Sequence, residues 1–334
     1  MKAFIVKKYG KKETLHLTDV NEPTLNENEV LVQIDAAGVN LLDSLIRNGE
    51  FKLFLPYKTP FVNGHDMVGV ITKVGAKVAK FKVGDEVYSR VGDFRIGTFA
   101  EQIAVNESDL ALKPKTISME EAASIPLVGL TSWQALVEIA NLKKGQKVFI
   151  QAGSGGVGTF AIQLAKHLGA FVATTTSSVN TDLVKSLGAD LVIDYKTQDF
   201  ATILKDYDVV LHSNREAEVL EKSLKILKPG GTLVSLTGPP TAEFAKKIGL
   251  AWPFQMLMGL LSMSVRRKAK KLNVNFNFLF MRAEGKQLTK ITQLIEAGKI
   301  RPIVDKVFPF EQTNEALAYV ESSRAKGKVV INVK

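Results

Sequence analysis

The pattern of hydrophobic and polar positions in the middle of the chain alternates between two periods. Short apolar runs predict strands at residues 148–150, 171–176, 191–194, 208–211 and 232–236. Between these runs, apolar residues recur at helical spacing and predict helices, for example over residues 156–168 and in a helix that stops at Pro229-Gly230-Gly231. Strands that alternate with helices are typical of an α/β fold with a doubly wound parallel sheet.

The pattern on either side of this region is different. Alternating residues and glycine turns predict short strands at 30–34, 67–74, 84–88 and 98–105, which favours a partly open β-barrel. Near the end of the chain, the pattern predicts a return to the first domain. The elements of this return are a helix at 288–297, a strand at 306–310, a helix at 314–322 and a strand at 328–333. The predicted boundaries give a domain over 1–123, a second over 124–281 and a C-terminal return over 282–334.

Composition restricts the class of protein. The chain has 334 residues, of which 46% are hydrophobic and 23% charged, which is ordinary for a globular protein of two domains. It has no cysteine, so disulfides, thiolate metal sites and a cysteine nucleophile are excluded. The N-terminal apolar run is too short for a signal peptide, and we therefore expect a cytoplasmic protein.

The net charge of +10 raises the question of an acidic partner. Most of the basic residues are dispersed, and the dense run at 266–271 is typical of a solvated helix face, so no nucleic acid is expected. The 18 residues before this run, 248–265, carry no charge. Because they fall between two strands of one sheet, they predict a helix over the substrate cleft or a dimer seam rather than a membrane span. A weak contact of 248–271 with an anionic membrane surface is the alternative.

A glycine-rich loop follows the strand at 148–150. Gly153, Gly155 and Gly158 are spaced G-x-G-x-x-G and precede a predicted helix, which is the context that a dinucleotide site requires. The free N–H groups at the start of that helix would bind a pyrophosphate. The loop predicts contacts to the cofactor from Gly153, Ser154, Gly155, Gly156, Val157 and Gly158.

The residues about 20 positions after the first glycine indicate which dinucleotide is bound. NAD sites usually carry an acidic residue there, whereas this chain has Thr174-Thr175-Thr176-Ser177-Ser178. These hydroxyls, those of Ser177 and Ser178 in particular, can donate to a 2′-phosphate that a carboxylate would repel. NADPH is therefore favoured over NADH. The serines can equally cap the helix that follows, and the two interpretations are compatible.

The order of several further motifs resembles the medium-chain dehydrogenase/reductases, and in particular their zinc-free quinone oxidoreductase branch. The matching segments are Ala37-Gly38-Val39-Asn40-Leu41-Leu42-Asp43, Gly64-His65-Asp66-Met67-Val68-Gly69, Val83-Gly84-Asp85-Glu86-Val87, Gly97-Thr98-Phe99-Ala100-Glu101, Gly129-Leu130-Thr131-Ser132, the glycine loop and Gly327-Lys328-Val329-Val330. The resemblance implies a GroES-like barrel domain, an NADP-binding Rossmann domain and a homodimer.

The resemblance also implies roles for individual residues. Asn40 would lie beside the nicotinamide, and Thr131 would reach the nicotinamide side of the cofactor. Asp43 would either hold the wall of the cleft beside the nicotinamide in place or act only as a helix cap. Tyr195 would lie near the 2′-phosphate, although Asn180 stands where relatives often carry a basic residue. Tyr57, in a loop, is either a hydrogen-bond donor to substrate or a surface tyrosine.

Zinc-dependent relatives carry a cysteine where this chain has Asn40, and His65 is the only histidine left of the ligand set. A zinc ion needs at least three protein ligands, so no metal is expected. Without a Lewis acid, reduction of an electrophilic quinone or α,β-unsaturated carbonyl is favoured over oxidation of a simple alcohol. The alternative function is a nucleotide-binding protein with little catalysis that acts as a structural, regulatory or RNA-binding partner.

Overall fold

A computed structural model describes all 334 residues, Met1–Lys334. The chain divides into two compact units. Unit 1 comprises Met1–Leu130 and Arg282–Lys334, and unit 2 comprises Thr131–Met281. None of the helices is both long enough and apolar enough to cross a membrane.

The N-terminal part of the chain is mostly short strands. Its elements are β1 (Lys2–Val6), β2 (His16–Asp19), β3 (Glu29–Val39), α1 (Leu41–Asn48), β4 (Phe61–Val62), β5 (Asp66–Val74), β6 (Glu86–Arg90), β7 (Gln102–Asn106), β8 (Leu110–Leu112), α2 (Met119–Ala123) and α3 (Pro126–Trp133), which crosses into unit 2.

Unit 2 alternates strands with helices. Its elements are β9 (Lys147–Ile150), α4 (Gly156–His167), β10 (Phe171–Thr176), α5 (Thr181–Ser186), β11 (Leu191–Asp194), α6 (Phe200–Ile203), β12 (Tyr207–His212), α7 (Ala217–Lys225), β13 (Leu227–Ser235), α8 (Ala242–Lys247), α9 (Trp252–Lys271) and β14 (Asn275–Phe278). The chain then returns to unit 1 with α10 (Gly285–Glu296), β15 (Val304–Pro309), α11 (Thr313–Glu321) and β16 (Lys328–Asn332).

Strand β3 organises unit 1. It pairs with β5 along one edge, while its other edge pairs with β7 in the first half and with β16 in the second. Almost every residue of β3 is buried, because both of its faces are covered. Val32 and Ile34 pack in one apolar cluster, and Ala37 and Val39 pack in another. The pairing of β16 with β3 places the start of β16 beside the end of β3.

The sheet of unit 2 is parallel throughout, with the strand order β11-β10-β9-β12-β13-β14. The predicted doubly wound parallel sheet is therefore confirmed. Because the order reverses between β9 and β12, the carboxyl ends of these central strands form the edge at which such sheets bind ligands. The glycine loop leaves β9 at this edge.

For two elements, the boundaries in the structure differ from the predicted ones. The helix predicted to stop at Pro229-Gly230-Gly231 ends at Lys225, and these three residues lie inside β13. Gly230 has a φ of +81°, and the pairing with β12 is irregular here, so the glycines bend a strand instead of ending a helix. The uncharged segment 248–265 is not one helix. Gly249, with a φ of +74°, follows the end of α8, and α9 then continues through the basic run.

Candidate cofactor site and buried polar cluster

The glycine loop of unit 2 is packed so closely that side chains are excluded at two of its positions. A Cβ atom on Gly153 would lie 2.2 Å from Thr174 Oγ1, and one on Gly158 would lie 2.3 Å from the carbonyl oxygen of Ala152. Ala152 itself has a φ of +53°, a conformation that non-glycine residues rarely adopt. Such strain is concentrated at functional sites, and here it turns the chain from β9 into α4.

The start of α4 provides a site for an anion. Its N-cap is Gly155, no side chain caps the helix, and the first turn contains no acidic residue. The first N–H groups of a helix have no partner within it, and the helix dipole makes this end positive. Backbone can also be approached closely at glycines, so the loop fits the pyrophosphate of a dinucleotide.

A cluster of hydroxyl and amide groups adjoins the loop. Thr176 Oγ1 lies 2.9 Å from Ser154 Oγ, and Asn180 Nδ2 donates to Ser154 Oγ at 3.2 Å and to Ser177 Oγ at 3.4 Å. The Asn180 Oδ1 atom is buried and has no partner. The fold thus brings Ser154 of the loop close to Ser177, just after β10, and it leaves one buried amide oxygen without a partner.

A carboxylate that the sequence analysis did not consider lies near this cluster. Asp194 ends β11 and is paired with Thr176 in the parallel register, and its side chain accepts a hydrogen bond from the N–H of Ser178 at 3.2 Å. Strand β10 has no acidic residue, but the neighbouring strand β11 places a carboxylate beside the end of β10. The following residue, Tyr195, is 62% exposed, and its N–H donates to the carbonyl of Thr176 at 3.3 Å.

Unit 1 contains a buried polar cluster centred on Asn40. This residue precedes α1, and its N–H donates to Asp43 Oδ2 at 2.8 Å. Its side-chain amide donates to Asp66 Oδ2 at 3.0 Å and accepts from Lys328 Nζ at 2.5 Å. Donor and acceptor ends of the Asn40 amide are therefore both held by charged side chains from distant parts of the chain.

Lys328 and Asp66 form a buried ion pair beside Asn40. Their charged atoms, Nζ and Oδ2, are 3.4 Å apart, and Lys328 also donates to the carbonyl of Val39 at 2.9 Å. The other oxygen of Asp66 accepts from the N–H of Leu127 at 2.9 Å. Burial raises the pKa of the Asp66 carboxyl and lowers the pKa of the Lys328 ammonium, and the opposite charge of each partner counteracts that shift.

Asp43 connects this cluster to His65. Asp43 Oδ1 lies 2.5 Å from His65 Nδ1, and both side chains are fully buried. The backbone carbonyl of Asp43 accepts from Asn63 Nδ2 at 3.0 Å. Nε2 of His65 has no partner. Asp43 therefore acts as more than a helix cap, because its two carboxylate oxygens join the start of α1 to the loop before β5.

Tyr57 and Thr131 are the two remaining candidate residues. The hydroxyl of Tyr57 donates to the carbonyl of Asp93, and the carbonyl of Tyr57 accepts from Tyr9 Oη at 2.6 Å. Burial raises the pKa of the Tyr57 phenol. Its proton is thus already directed to the backbone. Thr131 is the first residue of unit 2 and lies in α3, 4% exposed.

The chain is similar to known proteins over its whole length. Residues 26–115 match the family model described as alcohol dehydrogenase GroES-like domain, and residues 187–331 match the model described as zinc-binding dehydrogenase. A 2-methylene-furan-3-one reductase of Solanum lycopersicum is 36% identical over 99% of this chain and 79% of the relative. The chain belongs to the medium-chain dehydrogenase/reductase superfamily.

Other members of the superfamily are also similar to this chain. An NADPH-dependent alkenal/one oxidoreductase of Arabidopsis thaliana is 35% identical over 99% of this chain and 79% of its own. The structure of the quinone oxidoreductase from Coxiella burnetii has a TM-score of 0.87 and 29% identity, covering 100% of this chain and 99% of that chain. These matches confirm the predicted fold class, with a GroES-like and a Rossmann part, and they assign oxidoreduction as the kind of reaction.

The name of one matching family model mentions zinc, but the residues of this medium-chain dehydrogenase/reductase do not fit a zinc site. No group of three or more His, Cys, Asp or Glu side chains is placed to hold a metal ion. Nδ1 of His65 is engaged by Asp43, and Asp66 is engaged by Lys328, Asn40 and Leu127. In place of a set of zinc ligands, this chain has the ion pair of Lys328 and Asp66 and the side-chain amide of Asn40.

Proposed function

We propose that this chain is an NADPH-dependent oxidoreductase that reduces a quinone or an α,β-unsaturated carbonyl compound, such as a 2-alkenal or enone, without a metal ion. The observation that carries the proposal is the combination of a complete dinucleotide loop with a buried polar cluster that has no metal-ligand set. The relatives named above act on acceptors of this kind, which supports the same assignment for this chain.

Unit 2 supplies the groups that would hold the cofactor. The N–H groups after Gly155 would bind the pyrophosphate, and the hydroxyls of Ser154 and Ser177 with the amide of Asn180 would contact the adenosine ribose and its 2′-phosphate. Asp194 is already bound to the N–H of Ser178, which reduces its repulsion of a phosphate. When bound, reduced nicotinamide supplies a hydride to an electrophilic carbon.

The acceptor determines what else the protein must provide. A quinone or enone has an electrophilic carbon, so the protein needs only to place hydrogen-bond donors at the oxygen that becomes negative. Oxidation of a simple alcohol requires loss of the hydroxyl proton, and a metal ion acting as a Lewis acid promotes this loss by lowering the pKa of the hydroxyl. The ligand set for a Lewis acid is replaced here by Lys328, Asp66 and Asn40.

Initial rates with purified protein test the proposal. Loss of the reduced-nicotinamide absorbance is followed with NADPH and with NADH, each with a quinone, a 2-alkenal and a simple alcohol, with and without a chelator. We expect NADPH-dependent turnover of the quinone or alkenal that the chelator does not change. Saturable NADPH binding without turnover of any acceptor would instead support a binding protein, and loss of activity with the chelator would contradict the metal-free reaction.

The variant Asn180→Asp tests the cofactor contacts separately from the acceptor. It keeps the size of the side chain and adds a carboxylate beside Ser154 and Ser177. Two negative charges about 4 Å apart repel by a few kcal/mol at a protein surface. We therefore expect kcat/KM for NADPH to fall at least tenfold, with less than a threefold change for NADH. Equal losses for both cofactors would place Asn180 away from the 2′-phosphate.

A further inference from the structure

Helix α9 of unit 2 has two apolar faces, and only one of them is covered. Met258, Ser262, Val265 and Ala269 recur every three or four residues and are buried against the unit. This single stripe is what the helix needs to pack on the sheet. Apolar residues on the opposite side of the helix therefore have no packing role within the described chain.

The outer face begins with a second apolar stripe. Trp252, Met256, Leu260 and Met263 follow one another at intervals of four, four and three residues, which places them on one side of the helix. Their exposed fractions are 70%, 58%, 61% and 38%. Exposed apolar side chains that are contiguous in this way mark an interaction surface.

The same face becomes basic in the second half of the helix. Arg267, Lys270 and Lys271 continue the spacing beyond Met263, and α9 contains no acidic residue. Two of its other cations are paired with neighbours, Arg266 with Glu243 at 3.6 Å and Lys268 with Glu221. No ion pair involves Arg267, Lys270 or Lys271, so their charges are available to a partner.

The groove beside the outer face adds no negative charge. A groove between α9 and β14 is lined by Leu260, Met263, Arg267 and Lys270 from the helix and by asparagines and Phe276 from the segment that leads into and forms β14. No acidic residue lines it. Strand β14 is the last strand of its sheet. A partner for this face must therefore be apolar over one half and anionic over the other.

We propose that the outer face of α9 docks on an anionic lipid bilayer, with Trp252, Met256 and Leu260 among the acyl chains and Arg267, Lys270 and Lys271 at the phosphate groups. An apolar face with adjacent basic residues is the pattern of helices that lie in a membrane interface. Long basic side chains can reach the headgroups while their stems cover apolar surface. Since α9 is not a membrane span, the contact is peripheral.

A second copy of the chain fits this face less well. A two-fold interface brings the same patch of both copies together, so the unpaired cations of the two copies would share one interface that no acidic residue of α9 or of the groove can neutralise. An anionic bilayer complements both halves at once. The inference does not depend on the proposed function, although a membrane is also where an apolar quinone would be dissolved.

Co-sedimentation of the full chain with vesicles tests the proposal. Neutral phosphatidylcholine vesicles are compared with vesicles that also contain phosphatidylglycerol or phosphatidylserine, at low and high salt. We expect binding to the anionic vesicles that weakens with salt, because each basic residue at such a surface contributes about fivefold in affinity. The double variant Arg267→Glu/Lys270→Glu should bind at least tenfold more weakly. The control Lys185→Glu/Lys299→Glu makes the same change in net charge at exposed sites elsewhere and should bind as the wild type does.

The apolar half has its own readout. The fluorescence of Trp252 should shift to shorter wavelength on addition of anionic vesicles, and Trp252→Phe should abolish the shift while the signal of Trp133, the other tryptophan, remains. No binding at low salt, or equal weakening by the control double variant, would overturn the proposal. So would a Leu260→Glu variant that dissociates a dimer in light scattering and leaves vesicle binding unchanged, since the occupant would then be a second copy.

Discussion

The buried pair of Lys328 and Asp66 permits a quantitative test of how unit 1 is held together. Lys328→Met keeps most of the volume of the side chain and removes its ammonium group. The carbonyl of Val39 and Oδ1 of Asn40 then lose their donor, and the Asp66 carboxylate keeps only its hydrogen bonds from Asn40 and Leu127. Asp66 is fully buried, so water cannot replace the missing cation.

The expected magnitude follows from this geometry. Removing one partner of a buried ion pair destabilises a protein by about 3–5 kcal/mol, because a charge remains without compensation. Asp66→Asn should be costly for the same reason, since the Lys328 ammonium remains buried. The double variant removes both charges of the pair, so its cost should be smaller than the sum of the single costs by at least about 2 kcal/mol. Lys334→Met should cost less than about 1 kcal/mol, although Lys334 lies only 2.8 Å from Asp35, because Lys334 is largely exposed.

The assay must report on unit 1 alone, because a chain of two units need not unfold in one step. Hydrogen exchange of peptides from β3 and β16, measured by mass spectrometry across a urea series, gives the free energy of opening of the sheet that contains the pair. Additive effects of Lys328→Met and Asp66→Asn, within about 0.5 kcal/mol, would refute the reasoning, because they would mean that the two groups do not depend on one another. A cost for Lys334→Met equal to that of Lys328→Met would refute the role of burial.

Three further predictions concern unit 2. Gly158→Ala should destabilise unit 2 far more than Gly155→Ala does, because the new Cβ would lie 2.3 Å from a backbone oxygen at Gly158 and 3.3 Å from the same oxygen at Gly155; hydrogen exchange of peptides from α4 across a urea series distinguishes the two variants, and equal costs would contradict the packing argument. Burial lowers the pKa of His212 from its ordinary 6.5 to about 4, so this residue binds a proton in the unfolded chain but not in the native protein between these values, and stability should fall as the pH decreases through this window. The free energy of unfolding, measured in urea by tryptophan fluorescence, should decrease between about pH 7.5 and about pH 5, and this decrease should be about 2 kcal/mol smaller in His212→Asn than in the wild type. Equal decreases in both proteins would show that His212 does not cause the effect. Asp194→Asn removes the negative charge beside Ser178 and should raise kcat/KM for NADPH at least threefold relative to NADH, and an unchanged ratio of rates would place the 2′-phosphate away from Asp194.

The sequence by itself determined the parts of this protein that depend on neighbouring residues. The alternation of strands and helices predicted the parallel sheet, and the spacing of Gly153, Gly155 and Gly158 predicted a tight turn from a strand into a helix, because both patterns express local backbone geometry. Local pattern failed at Gly230, where Pro-Gly-Gly is compatible with a helix end and with a bent strand. The pairing of this segment with β12 makes it part of a strand.

Only the tertiary structure decided which polar residues meet. Lys328 is 288 positions from Asn40, and in the sequence it is one lysine near the end of the chain. The pairing of β16 with β3 turns it into a buried cation, because the burial of a side chain depends on what packs over it and not on its neighbours in sequence. Asp194 reaches the end of β10 for the same reason, through the register of two parallel strands. The outer face of α9 could be recognised only once the fold had shown which of its two apolar stripes is covered.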